Sequence, residues 1–133
     1  MKRKLFVMFA CAALVGAFCL TAWAIEPPAA MEIKMPSGTP TKAAVKFNHA
    51  GPGHKALECK TCHHNWDGKS ETGLKCSDKG CHDNTDPAAK AEKNSWYHAF
   101  HDFNAPNSCL GCHKKAKAEG KNPPMACNAC HPQ

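Results

Sequence analysis

Apolar positions are distributed very unevenly along this chain. From Leu5 to Leu20 they form an uncharged run behind the basic start Lys2, Arg3 and Lys4. Beyond Ile25 they become sparse, and only short periodic stretches remain. Glu32-Ile33-Lys34-Met35 alternates polar and apolar residues and predicts a short strand. Pro36-Ser37-Gly38-Thr39-Pro40 reads as a turn, and Ala43 to Phe47 as a second strand folding back on the first, a small hairpin. The segment between His49 and His54, Ala50-Gly51-Pro52-Gly53, is unsuited to a helix, and Asn65 to Thr72 is a polar loop. Asp86-Pro87 has the form of a helix start, a capping aspartate with proline at the first helical position. The pattern predicts a helix from there toward Phe100, with His101 near its end. Ser108 caps a further helix from Cys109 to about Glu119, stopped by Gly120 and Pro123-Pro124.

The apolar run is shorter than the roughly 20 residues a membrane span needs. It ends in Ala22-Trp23-Ala24, the small-x-small pattern at which signal peptidase cuts. Residues 1–24 are therefore expected to be a signal peptide, with Cys11 and Cys19 as passengers, and residues 25–133 one exported domain. That domain has few aliphatic residues: Val45, Ile25, Ile33, Leu57, Leu74 and Leu110. Such a chain cannot bury enough apolar surface to offset its conformational entropy unaided. Disulfides, zinc or covalent hemes must supply what the side chains do not.

Charge changes the picture only locally. The formal net charge is +6, but without Lys2, Arg3 and Lys4 the domain has 14 basic and 11 acidic residues, a net of +3. This excess is too small to argue for nucleic acid. Lys114, Lys115, Lys117 and Lys121 crowd the C-terminal third, opposed there only by Glu119. They form either a solvated helix face or a docking patch for an acidic partner.

The chemistry lies in the cysteines. After residue 24 there are eight, in four pairs: Cys59 and Cys62, Cys76 and Cys81, Cys109 and Cys112, Cys127 and Cys130. Each pair is followed at once by a histidine: His63, His82, His113 and His131. C-x-x-C-H is the attachment signature of c-type heme. Zinc modules do not require a histidine after every second cysteine, and a disulfide framework leaves all four histidines unexplained. On a helix, positions i, i+3 and i+4 share one face, so two thioethers and an imidazole can reach one porphyrin. The wider Cys76–Cys81 spacing must loop instead, which Gly80 assists.

Nine histidines are present. With four used beside the cysteines, His49, His54, His64, His98 and His101 are left for four distal positions. Irons bound by two histidines have no site open for substrate and carry electrons. A small reductase with one open iron is the rival reading. His64 follows His63 directly, so it is free to reach the iron of a different heme.

The order of motifs, with Phe47-Asn48-His49, Cys62-His63-His64, Gly80-Cys81-His82-Asp83, Trp96-Tyr97-His98 and His101-Asp102, resembles the tetraheme class III cytochromes c of sulfate-reducing bacteria. The resemblance spans essentially all of residues 25–133. It implies four covalently attached heme c groups: the first on Cys59 and Cys62 with axial His63 and His49, the second on Cys76 and Cys81 with His82 and His64. The third would use Cys109 and Cys112 with His113 and His54, and the fourth Cys127 and Cys130 with His131 and His101. His98 matches a position that is not a ligand. The last cysteine pair is spaced by two residues where many members have four, and the His49–His54 interval is two residues longer than usual.

The fold implied is small, mainly α and irregular, with two or three short helices and an N-terminal β-hairpin wrapped around four hemes. The function implied is that of a periplasmic, low-potential electron carrier, not an enzyme, working between hydrogenase and membrane-bound redox complexes with coupled proton uptake. Partners would dock near Lys114, Lys115, Lys117 and Lys121, and the chain is expected to be monomeric.

Overall fold

A computed structural model describes residues 25–133; the expected signal peptide lies outside the described residues. Two strands, β1 (Ala30–Ile33) and β2 (Val45–Asn48), pair antiparallel. The register sets Met31 opposite Phe47, Ile33 opposite Val45 and Glu32 opposite Lys46, so unlike charges face each other across the ladder. The hairpin expected from sequence is present, but β1 begins two residues earlier than Glu32. Pairing continues past Asn48, where the Ala50 amide donates to the Ala29 carbonyl at 3.2 Å, and this draws the strand toward the N-terminal side.

Four short helices follow where two or three were expected: α1 (Cys59–Cys62), α2 (Trp96–His101), α3 (Cys109–Ala118) and α4 (Cys127–Cys130). The additional ones, α1 and α4, are single turns on the first and last cysteine motifs. In both, the histidine amide after the motif closes the turn on the first cysteine's carbonyl, His63 to Cys59 at 3.0 Å and His131 to Cys127 at 2.8 Å. The wider motif keeps the same closure by looping out its extra residues. The His82 amide still reaches the Cys76 carbonyl at 2.9 Å, with Gly80 at φ +83°.

The helix expected from Asp86 to Phe100 does not form as one piece. Asp86 caps a 3-10 turn over Pro87–Ala89, its carboxylate accepting from the Ala88 amide at 2.8 Å, and the chain then leaves helical geometry. Asn84 competes for the next segment. Its carbonyl accepts the Trp96 amide at 2.8 Å and its amide donates to the Asn94 carbonyl at 3.2 Å. Ser95, 1% exposed, then caps a new helix through the Tyr97 amide. The α3 prediction agrees with the structure to within a residue, with Ser108 as its cap and Gly120 at φ +80° beyond its end.

Among the described residues the only buried apolar side chain is Ala89, and the only buried polar ones are Ser95 and Ser108. The chain is held by hydrogen-bonded turns and caps, and by whatever its cysteine motifs bind.

Candidate heme-binding sites

Among the described residues no two cysteines are joined as a disulfide. Cys62, Cys76, Cys109 and Cys130 have raised pKa values, in every case chiefly because burial disfavours the thiolate. Cys109 is pushed up to about 12, with further contributions from Cys62, Cys76, Cys130 and Cys112. Cys109 thus lies within electrostatic range of a thiol from each of the other three motifs. Cys59, Cys62, Cys76 and Cys109 are nevertheless solvent-accessible.

Histidines are arranged in pairs. His54 faces His113 with ring centroids 6.3 Å apart and planes at 24°. His64 and His82 lie 6.0 Å apart at 60°. His101 and His131 lie 6.1 Å apart at 5°. Each pair joins a histidine of one cysteine motif to a histidine outside that motif. Direct ring contact is closer, as where Tyr97 stacks on His101 at 4.2 Å and 9°. A metal held between two imidazole nitrogens, at about 2 Å from each, would leave ring centroids about 6 Å apart once the half-width of each ring is added. The pairs therefore fit an iron bound between them. His49 and His63 are associated electrostatically: burial, then His49, lowers the pKa of His63, while the Leu74 carbonyl opposes.

Backbone carbonyls orient most of these rings. A carbonyl can only accept, so each such contact makes Nδ1 the donor and leaves Nε2 as the free ligand atom. His49 Nδ1 donates to Pro28 at 2.9 Å, His54 to Asn48 at 3.0 Å and His101 to Tyr97 at 3.0 Å. His113 donates to Pro124 and His131 to Ala43, both at 2.7 Å. The hairpin thereby serves these sites directly, because the chain leaving β2 carries His49 and His54, and Phe47 packs against both at 4.7 and 4.8 Å. His82 differs. Its Nδ1 is buried without a hydrogen-bond partner, and the carbonyls of Lys93 and Ser95, though near, do not reach bonding geometry. Burial lowers the pKa of His82 and of His101, which favours the neutral imidazole, the form that can ligate.

His98, the histidine left over, is tied up elsewhere: its Nε2 lies 3.1 Å from the Asp102 carboxylate. No group of three or more metal-binding side chains closes on one point among the described residues. The donor set is thus unlike a closed zinc site, which needs four ligands around one ion.

The carbonyl partners Pro28, Ala43, Asn48 and Pro124 are not foreseeable from sequence, because every residue carries a carbonyl. Tyr97 was within reach of sequence reasoning, since it precedes His101 by four residues on one helix face.

Residues 24–131 match the model of the class III cytochrome C family. The chain is 46% identical over 111 residues to a cytochrome c3 of Maridesulfovibrio salexigens, covering 82% of this chain and 98% of that one. To a cytochrome c3 of Desulfovibrio desulfuricans it is 44% identical over 110 residues, covering 82% and 99%. Among solved structures, cytochrome c3 from Desulfovibrio desulfuricans ATCC 27774P superposes with a TM-score of 0.60 at 37% identity, covering 82% of this chain and all of that one.

Proposed function

From the membership of this chain in the class III cytochrome c family of heme c-containing multiheme electron carriers, we propose a specific role. The protein is a periplasmic carrier with four bis-histidine hemes, exported by residues 1–24 as a signal peptide. It passes electrons between hydrogenase, or a similar dehydrogenase, and membrane-bound redox complexes. It acts as a relay and does not transform a substrate of its own.

The observation that carries this reading is the set of three histidine pairs at 6.0 to 6.3 Å. They join the second motif to the residue after the first, the third to the chain leaving the hairpin, and the fourth to α2, so the cofactors would fill the centre that the side chains leave without an apolar core. In this assignment Cys59 and Cys62 hold one heme with His63 and His49, and Cys76 and Cys81 the next with His82 and His64. Cys109 and Cys112 hold the third with His113 and His54, and Cys127 and Cys130 the fourth with His131 and His101. When bound, each heme iron supplies a one-electron couple. The protein's part would be to occupy both open positions of each iron with imidazoles, which excludes substrate from the metal; in five of the eight the Nδ1 atom is held by a backbone carbonyl. It also places His63 and His64, about 3.8 Å apart at Cα, on two different sites.

Proton uptake with reduction follows from the same enclosure, because added negative charge raises the pKa of neighbouring groups. Docking is assigned to Lys114, Lys115, Lys117 and Lys121 along α3 and just beyond it.

Mass spectrometry of the purified protein, with its electronic spectrum, tests the reading. A chain starting at Ile25 with the added mass of four hemes and a wholly low-spin spectrum is expected. Fewer hemes would contradict the assignment, and a high-spin component would point to a reductase with one open iron.

A further inference from the structure

Within α3, the residues Cys109, Cys112 and His113 share one face, and Gly111 lies on the opposite one. Gly111 is buried, and it meets backbone. A Cβ at this position would come within 2.9 Å of both the Ala105 carbonyl carbon and the Asp102 carbonyl oxygen, and closer still to the Ala105 oxygen. Backbone cannot rotate aside as a side chain can. The helix is therefore seated directly on the segment that ends α2.

Ser108 closes the same junction. Its hydroxyl accepts the Gly111 amide at 2.9 Å and donates to the carbonyl of Asp102. Its own amide donates to Ala105 at 3.1 Å. At 2% exposure, it is one of the two buried polar side chains among the described residues. Asp102 directly follows His101, and its amide donates to the His98 carbonyl at 3.3 Å. One serine hydroxyl thus ties the last turn of α2 to the first turn of α3.

These two helices serve different sites. α2 supplies His101, which faces His131 in the fourth motif. α3 carries the third motif and His113, which faces His54. We propose that Gly111 and Ser108 are positioning residues that set the spacing between the third and fourth heme sites, and so the rate at which electrons pass between them. The inference rests on the ligand assignment under Proposed function, and it adds a mechanical link that this assignment does not require. Neither residue touches a cofactor in this reading. Both act through the backbone between His101 and Cys109.

The test uses the mature holoprotein and two variants, Gly111→Ala and Ser108→Ala. The alanine at 111 forces the helix off the Asp102–Ala105 backbone; the alanine at 108 removes the tie without adding bulk. NMR redox titration of wild type first counts the bis-histidine hemes, so failure of the ligand assignment shows there and not in the variants. The expected result is a shift in potential and in NMR signals at the third and fourth sites, with slower exchange between them, while the first two sites stay unchanged. The change should be larger for Gly111→Ala. If that variant does not mature, Ser108→Ala decides by the same criterion. Lowered thermal stability with all four sets of heme signals unmoved overturns the proposal, as does an equal shift at every site.

Discussion

The imidazoles of His101 and His131 lie almost parallel, 5° apart in plane, with centroids separated by 6.1 Å. His64 and His82 hold nearly the same separation, 6.0 Å, but cross at 60°. Equal spacing with unequal rotation is informative. The spacing suits one coordination chemistry, whereas the rotation is set by what orients each ring. His101 is locked by the Tyr97 carbonyl and by the Tyr97 ring stacked on it, and His131 by the Ala43 carbonyl. His82 has no such anchor on Nδ1.

The rotations should be visible in the oxidised protein. Parallel axial rings split the two π-symmetry d orbitals of a low-spin ferric iron, and crossed rings bring them closer in energy. Electron paramagnetic resonance should therefore resolve different signals, with the largest g value from the His64–His82 site and the most rhombic signal from the His101–His131 site. Superimposable signals from these two sites would contradict the ring geometry.

Replacing His64 by methionine should raise the potential of the site on Cys76, Cys81 and His82, because methionine in an axial position raises heme potential. The neighbouring site on Cys59, Cys62 and His63 should move much less, although His63 adjoins the change. NMR-resolved redox titration would separate the two; equal shifts would show that His64 does not cross to the second site.

Ser95→Ala should lower the stability of the holoprotein by about 1 kcal/mol, the usual loss for a helix N-cap, read as a lower denaturation midpoint. The Tyr97 amide is the donor left without its partner. Because Ser95 sits at the entry of α2, the Tyr97–His101 stack should loosen as well, with broader proton signals from both rings. An unchanged midpoint would mean that the Asn84–Trp96 bond suffices to start the helix.

Neutralising Lys114, Lys115 and Lys117 together with glutamine should slow electron delivery from the proposed hydrogenase partner by roughly tenfold at low salt and flatten its salt dependence. Lys121 should matter less, since its ammonium is engaged by Glu119 at 3.0 Å. Stopped-flow rates across a salt series would measure this, and parallel lines for wild type and variant would remove the patch from the docking surface.

Much of the site could be read in the sequence because covalent spacing carries it. A thiol pair and the following histidine are positioned by a single turn, and α1, α3 and α4 have the geometry their spacing requires. Capping was readable where one side chain decides it, as at Ser108. The fate of Asp86 to Phe100 was not, because the competing partner, Asn84, comes from outside the segment and its bonds are tertiary. For the same reason the carbonyls that orient the histidines, and the close seat of Gly111, depend on which backbone arrives beside them.

The bond from His131 Nδ1 to the Ala43 carbonyl spans 88 positions, joining the last cysteine motif to the chain that enters β2. On a polypeptide made from its N-terminal end, Ala43 is present long before His131, so this bond cannot close until the last motif has been added. Joining segments so distant carries an entropic cost that grows only slowly with the intervening length, so the long wait adds little to the energy of closure. It adds a temporal condition instead. A chain ending before His131 lacks both the His101–His131 ring pair and this tether to the hairpin, so the two are gained or lost together.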